Sequence, residues 1–126
     1  MAGAPRPSRV FKTAWFAKAA RKAAISDEEL CRAVKQAQAG QCDDLGGGVY
    51  KKRVSRNLYR SIILAKGGRH WILTYLFAKK DRANIDAAEL TAFRALAKGY
   101  DKPTAAQLAA LLKTKELEEI CHGDQS

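Results

Sequence analysis

The sequence predicts an α+β domain in which a small, mostly antiparallel and twisted sheet packs against a pair of N-terminal helices and against C-terminal helices. Three features lead to this prediction. Helix-forming segments precede residue 40, segments rich in Val, Ile and Tyr lie between residues 49 and 78, and helical apolar spacing returns after residue 86. The chain has 126 residues, 47% of them hydrophobic, which suffices for one core. We therefore expect a single domain over residues 1–126.

The first predicted elements are a strand and two helices. Arg9–Thr13 is a short strand candidate, and residues 14–24 place Trp15 among apolar residues at helical spacing. Ser26 followed by Glu29 has the pattern of a capping box, which predicts that a second helix begins there. The two helices should pair with each other before the chain enters the sheet.

The centre of the predicted sheet consists of consecutive strands at residues 49–54, 59–66 and 70–77. The glycines at 67–68 predict a tight hairpin turn, which would make the last two strands antiparallel. The glycines at 46–48 resemble a phosphate-binding loop, but no Lys-Ser pair and no predicted helix follow them. We interpret them as a flexible entry into the strand and assign them no nucleotide site.

Two further capping patterns predict helices after the sheet. Asp86 with Glu89 predicts a helix that ends near Gly99, and Thr104 with Gln107 predicts another that carries a stripe of leucines. Core packing explains such a stripe, although a groove for a partner peptide would leave the same pattern.

The basic residues are concentrated in one part of the chain. Ten of the 32 residues from Lys51 to Arg82 are lysine or arginine and only Asp81 is acidic, so this segment carries nearly all of the net charge of +10. On strand positions these cations would form a fixed surface that suits RNA or DNA phosphates and binds them less tightly as salt rises. The alternative is a merely solvated sheet face, which is disfavoured because clustered like charges repel one another without a partner.

Composition argues against several other classes of protein. The sequence has no run of 18 apolar residues and no apolar segment of a secretory signal near its start, which predicts a cytoplasmic protein without membrane insertion. Its three cysteines form no CxxC pair, and with two histidines they give no zinc-ligand spacing. We therefore predict neither metal nor cofactor, and we expect Cys31, Cys42 and Cys121 to be unpaired thiols.

Three segments carry a more specific resemblance. The chain reads Leu-Gly-Gly-Gly-Val-Tyr-Lys-Lys-Arg-Val at 45–54, Tyr-Arg-Ser-Ile-Ile-Leu at 59–64 and Phe-Ala-Lys-Lys-Asp-Arg-Ala-Asn-Ile at 77–85. In this order they resemble the signature segments of the RelE/HigB toxins of bacterial toxin-antitoxin pairs. The resemblance implies a RelE-like core over about residues 9–100, followed by a C-terminal helical extension over 101–120.

The resemblance also implies a function. Members of this family are usually endoribonucleases without metal or cofactor, and many cut messenger RNA on the ribosome by attack of the RNA's own 2′-hydroxyl. The implied partners are a cognate antitoxin protein, messenger RNA and the ribosome. Two alternatives stay open, a ParE-like toxin that inhibits DNA gyrase without catalysis and a plain nucleic-acid-binding module. Cleavage of RNA in a translation mixture would separate the first reading from both alternatives.

Strand alternation divides the basic residues of the first signature segment. Lys51 and Arg53 share one face, and Lys52 lies on the other. If Tyr50 and Val54 face the N-terminal helices, Lys51 and Arg53 face the RNA.

The resemblance assigns roles to these cations. Its catalytic positions fall on basic residues, with Lys51 expected to transfer protons and Arg53, Arg60 and Lys80 expected to stabilise charge. Further basic side chains are candidate RNA contacts, namely Lys52, Arg56, Lys79 and Arg82.

The chain departs from the family pattern at one position. Some relatives carry a tyrosine there that stacks on an RNA base, whereas this chain carries Asp86. The aromatic residues that are candidates to replace that tyrosine are Tyr59, His70, Trp71 and Tyr75, although aromatic residues on strands more often belong to the core.

Overall fold

The structure is a computed structural model that describes residues 8–66, 69–100 and 103–121. Within these ranges the elements follow in the order β1 (Arg9–Thr13), α1 (Ala14–Lys22), α2 (Asp27–Gln38), β2 (Asp43–Gly46), β3 (Val49–Val54), β4 (Tyr59–Leu64), β5 (His70–Ala78), α3 (Ala87–Tyr100), α4 (Ala105–Lys113) and β6 (Leu117–Ile120).

The described strands form one sheet in the order β2-β3-β4-β5-β1-β6. β1 is parallel to β5, whereas all other neighbours in this order are antiparallel. The predicted α+β class with a mostly antiparallel sheet is therefore confirmed. The hairpin turn predicted at 67–68 lies outside the described residues, but the strands that it would join, β4 and β5, are antiparallel neighbours.

Helices cover both faces of the sheet, which gives the domain three layers. α1 and α2 pack on one face, where Phe16 and Leu30 are buried together with Leu73 of β5. α3 and α4 pack on the opposite face, where Ala97 and Leu108 are buried with residues of the same strands. Each β-strand between these layers therefore presents alternate residues to different helices.

The capping residues of α2 connect this helix to the sheet. The Ser26 side chain accepts a hydrogen bond from the backbone N–H of Glu29 at 3.2 Å, as the capping pattern predicts. The Glu29 carboxylate, however, accepts a hydrogen bond from the backbone N–H of Ser55 at 2.7 Å, in the turn between β3 and β4. Glu29 therefore fixes this turn against α2.

The two later capping patterns are both reciprocal. The backbone N–H groups of Asp86 and Glu89 each donate to the other residue's carboxylate at 2.8 Å. Thr104 and Gln107 make the corresponding pair of hydrogen bonds at the start of α4. Both helix starts predicted from the sequence are confirmed.

Two edge strands were not predicted. β2 ends at Gly46 and pairs with β3 as a hairpin, whose turn is formed by Gly47 and Gly48. The φ values of Gly46, Gly47 and Gly48 are 86°, 67° and 85°. A Cβ atom at Gly48 would lie 2.7 Å from the Cβ atom of Lys66, so this position needs glycine for space as well as for conformation. The helical extension predicted to residue 120 is wrong at its end, because Leu117–Ile120 form β6 against β1.

The expectation of three unpaired thiols is wrong for two of them. Cys31 of α2 and Cys121, directly after β6, form a disulfide with a Cα–Cα distance of 5.5 Å. The pair is separated by 90 positions in sequence, so no local spacing indicates it. Cys42 is free, and burial raises the pKa of its thiol.

Candidate nucleic-acid interface

Alternation along β3 places its basic residues as the sequence predicts. Tyr50 and Val54 pack into the core formed with α1 and α2, whereas Val49 belongs to the core on the α3 side. Lys51 and Arg53 have the same parity as Val49 and therefore lie on the α3 face of the sheet.

β4 adds a third cation to this face. Arg60 is the direct cross-strand partner of Arg53, and Lys51 is the partner of Ile62. Side chains that face each other across an antiparallel pair have Cβ atoms about 4.5–5.5 Å apart, and like charges in this arrangement destabilise the sheet. We call Lys51, Arg53 and Arg60 the cationic strip. An anion bound between the two arginines would remove their repulsion.

Lys51 is held in place by a neighbouring strand. Its Nζ lies 3.7 Å from the carboxylate of Asp43, its cross-strand neighbour on β2, and its side chain is only 15% exposed. The Asp43 side chain is 65% exposed, so water screens part of this attraction. The ion pair fixes the direction of an ammonium group that can still reach a ligand over the sheet.

The two arginines of the strip differ in their surroundings. Arg60 Nη1 donates hydrogen bonds to the backbone oxygens of Asn57 at 3.0 Å and of Tyr59 at 3.3 Å. The Arg53 side chain is exposed and makes no hydrogen bond or ion pair to any of the described residues. Arg53 is therefore available to a ligand as it stands, whereas Arg60 is directed by the turn between β3 and β4.

That turn has an unusual backbone. Ser55, Arg56 and Asn57 have φ values of 53°, 57° and 68°, a left-handed conformation that costs non-glycine residues energy. A cleft of about 240 Å³ between the turn and α2 is lined by Arg32, Arg53 and Arg56 and also by Glu29. The turn thus extends the basic surface from the cationic strip towards α2.

Lys52 lies on the other face of β3. Its Nζ donates a hydrogen bond to the backbone oxygen of Gln41 at 2.9 Å. The prediction that Lys51 and Lys52 lie on opposite faces of β3 is therefore confirmed. An RNA contact of Lys52 stays a prediction.

Lys79 and Lys80 follow β5 in an exposed turn at the same end of the sheet. The backbone N–H of Lys79 donates to the Leu58 oxygen at 2.9 Å, which joins this turn to the one between β3 and β4. Both lysines line a mostly apolar cavity of about 390 Å³ together with Leu58, Tyr59 and Ala78. Lys80 is thus near the end of the sheet where Arg53 and Arg60 lie.

Arg82 is already engaged within the protein. Its guanidinium donates to the Glu89 carboxylate at 3.0 Å, to the Tyr75 hydroxyl at 3.3 Å and to the Asn84 oxygen at 3.0 Å, and it lies 5.5 Å from the ring centre of Phe77. These hydrogen bonds raise the pKa of Arg82 and lower that of Glu89. Arg82 therefore joins β5 to the first turn of α3, a role that its position in a basic cluster did not reveal.

The Arg82–Glu89 pair predicts a pH-dependent stability. Hydrogen bonds from Arg82 and then from the Asp86 backbone hold the pKa of Glu89 below its ordinary value of 4.5. Their stabilisation is therefore complete above that value and is lost as the pH falls through the lowered folded-state pKa. We expect Glu89→Gln to lower the melting temperature at pH 7 and to lower it less at about pH 3, below the ordinary pKa of the carboxyl group. Thermal unfolding followed by circular dichroism between these limits measures the difference.

Glu28→Gln is the matched control, because Glu28 forms an ion pair with Arg32 at 3.8 Å in which both side chains are mostly exposed. This substitution should change the melting temperature little at any pH. A melting difference for Glu89→Gln that is the same at both pH limits would contradict the electrostatic explanation.

One aromatic residue of this surface was misassigned. The helical spacing predicts that Trp15 lies among the apolar residues of α1, but its neighbour Phe16 is fully buried whereas Trp15 is 53% exposed. Successive helix residues point about 100° apart, so the burial of Phe16 does not bury Trp15 as well. Trp15 contacts Tyr75 with ring centres 5.0 Å apart, whereas Trp71 is buried and stacks on Tyr50.

Within the part of the chain that the structure describes, no three His, Cys, Asp or Glu side chains lie close enough together to hold a metal ion. Among the same residues, no helix has the length and apolar character needed to cross a lipid bilayer.

Comparison with known proteins agrees with the fold. The family model described as the RelE toxin of the RelE/RelB toxin-antitoxin system matches residues 8–120. The search of curated proteins found no significant match. The match covers all of the described sheet and helices, from β1 to β6. The chain therefore belongs to the RelE toxin family, whose members are the toxins of toxin-antitoxin systems.

Proposed function

We propose that this toxin is a metal-independent endoribonuclease that cleaves messenger RNA, in the manner of HigB-like relatives and on the ribosome. The observation that carries the proposal is the pairing of Arg53 with Arg60 across β3 and β4. The repulsion between two directly paired arginines destabilises the sheet. A phosphodiester bound between them would offset this repulsion.

The proposed reaction uses the 2′-hydroxyl of the RNA. Its oxygen attacks the adjacent phosphorus and loses its proton, the bond from phosphorus to the 5′-oxygen breaks, and that oxygen gains a proton. Lys51 is the proton-transfer residue, because a lysine can release a proton whereas an arginine stays charged. Arg53, Arg60 and Lys80 stabilise the negative charge that develops on the phosphate oxygens.

Other basic residues bind the RNA outside the reacting bond. Arg56 lies in the turn beside the strip, and Lys79 adjoins Lys80. Lys52 on the opposite face and the engaged Arg82 are the weaker members of this group, because each already has a partner within the protein. The remaining partner is the cognate antitoxin, which we propose covers the cationic strip in the cytoplasm.

A translation mixture tests the activity. The purified toxin is added to a reconstituted translation reaction, and primer extension then locates new 5′ ends in the messenger RNA. We expect cleavage within coding sequence when ribosomes are present. Intact messenger RNA together with inhibited DNA gyrase would contradict the proposal and favour a ParE-like toxin, while intact messenger RNA with active gyrase would favour a binding module.

Arg60→Ala is expected to slow cleavage by about 100-fold to 1,000-fold, since it removes a contact that stabilises charge in the transition state. Single-turnover cleavage at several saturating toxin concentrations measures this step without the contribution of binding. Lys113→Ala is the control, because Lys113 is an exposed cation on α4 rather than on the strip. If Arg60→Ala loses only affinity and cleaves normally once bound, Arg60 positions the RNA and stabilises no transition state.

A further inference from the structure

We propose that Trp15 and Tyr75 form a stacking platform for an RNA base next to the phosphate bound by the cationic strip. The proposal rests on the ribonuclease function proposed above and assigns it a base-binding subsite. It replaces the stacking residue that the sequence lacks at Asp86.

The platform and the strip lie on the same face of the sheet. Phe77 is the cross-strand partner of Arg60, and Tyr75 is the partner of Ile62, which is next but one to Arg60 on β4. Tyr75 contacts Phe77 with ring centres 5.8 Å apart and contacts Trp15 at 5.0 Å. A continuous row of side chains therefore leads from the phosphate-binding arginines to the tryptophan.

The exposure of Trp15 needs an explanation. Its side chain is 53% exposed, although indole is among the largest apolar groups and its neighbour Phe16 is fully buried. The planes of Trp15 and Tyr75 are inclined by 32°, closer to a stacked than to an edge-on arrangement. One aromatic face is thus supported from within the protein while much of the indole stays open to solvent.

The supporting side of the platform is rigid. The Tyr75 hydroxyl accepts a hydrogen bond from Arg82, and the Tyr75 ring also contacts Phe93 of α3 at 5.9 Å. Arg82 is in turn held by Glu89. Because these contacts fix the tyrosine ring, Trp15 packs against a surface that is already ordered, which reduces the entropy lost when a ligand binds.

The chemistry of the surroundings favours RNA as the occupant. An exposed aromatic residue alone would fit a protein partner equally well, but Tyr75, on which Trp15 packs, shares its sheet face with the three cations of the strip. Single-stranded RNA combines phosphates that bind cations with bases that stack on aromatic rings, and recognition of unpaired RNA commonly uses both. A single strand that runs along this row from Arg53 and Arg60 would bring one of its bases to the indole of Trp15.

The test uses the full-length toxin and a short single-stranded oligonucleotide with 2′-deoxy sugars, which cannot be cleaved through a 2′-hydroxyl. Affinity is measured at low salt by fluorescence anisotropy of the labelled oligonucleotide. We expect Trp15→Ala to weaken binding by roughly 5-fold to 150-fold. Trp15→Phe should keep most of the affinity, and Trp15→Leu, which keeps apolar area without a π face, should lose most of it. Circular dichroism checks that each variant folds.

Two further readouts separate stacking from a structural effect. The chain has two tryptophans, so Trp15→Phe leaves the buried Trp71 as the only one. Binding should quench the emission of the wild-type toxin much more than that of Trp15→Phe. With an oligonucleotide that carries abasic sites in place of its bases, Trp15→Ala should no longer change the affinity.

Arg53→Ala serves as the reference for phosphate binding. If Arg53→Ala weakens binding while Trp15→Ala leaves it within twofold and no tryptophan quenching occurs, the platform is refuted and the ribonuclease proposal stands. An equal loss for Trp15→Ala on the intact and on the abasic oligonucleotide would also refute stacking. If the wild-type toxin binds no single strand at low salt, the platform is refuted, and the translation mixture still decides the ribosome-dependent cleavage on its own.

Discussion

Replacing Lys51 by alanine is expected to slow RNA cleavage by about 100-fold to 10,000-fold, the usual range for loss of a general acid or base. The side chain lies on the face that carries Arg53 and Arg60, and Asp43 directs its ammonium group. Removal of Lys51 leaves a carboxylate that is 65% exposed, so the fold should tolerate the change. Single-turnover cleavage with saturating toxin measures the effect.

Lys52→Ala is the matched control, because it removes an equal charge one residue away on the opposite face and sacrifices one hydrogen bond to Gln41. We expect this variant to cleave within a few-fold of the wild type. Lys51→Arg distinguishes proton transfer from charge stabilisation, since arginine keeps the charge but does not release a proton at neutral pH. Full activity of Lys51→Arg would give Lys51 a purely electrostatic role. If Lys52→Ala loses cleavage activity and Lys51→Ala keeps it, the RNA binds the opposite face of β3 from the one assigned here.

Strand periodicity was sufficient to predict which basic residues share a face. Tyr50 and Val54 are apolar enough to be drawn into the core with α1 and α2, and the fixed alternation of a strand then places Lys51 and Arg53 opposite them. The helix starts at Ser26, Asp86 and Thr104 were equally accessible, because a capping residue acts on a backbone N–H only three positions away.

Side-chain contacts between different helices and strands could not be predicted in this way. The sequence places Arg82 in a basic cluster, but its function in the fold is set by Glu89 of the next helix and by Tyr75 of the preceding strand. β6 has four residues and pairs with β1, more than 100 positions earlier. It is a strand because the edge of β1 is there to pair with, and the β-propensity of its own four residues does not reveal this. Trp15 was misassigned because apolar residues at neighbouring helical positions were treated as one face.

The disulfide is the strongest of these long-range constraints. Cys31 and Cys121 enclose a loop of about 90 residues, and the chain-entropy model attributes roughly 4–5 kcal/mol of stability to a cross-link of that length. Small domains are often stable by only about 5–15 kcal/mol. The bond attaches α2 to the end of β6, the strand that protects the outer edge of β1. Its loss should therefore affect the stability of the whole domain more than any single surface contact.

We expect Cys121→Ser to lower the free energy of unfolding by about 2–5 kcal/mol in urea titrations under non-reducing conditions. Cys31→Ser should match it, and the double substitution should add little, because both single changes remove the same bond. A reductant should bring the wild type to the level of these variants and leave the variants unchanged. Cys42→Ser is the control, since Cys42 is a free thiol and its replacement leaves the cross-link intact. A wild-type unfolding curve that is insensitive to reductant would contradict the prediction. Below the unfolding transition, Cys121→Ser should still cleave RNA, because Lys51, Arg53 and Arg60 lie on β3 and β4 and not on the elements that the disulfide joins.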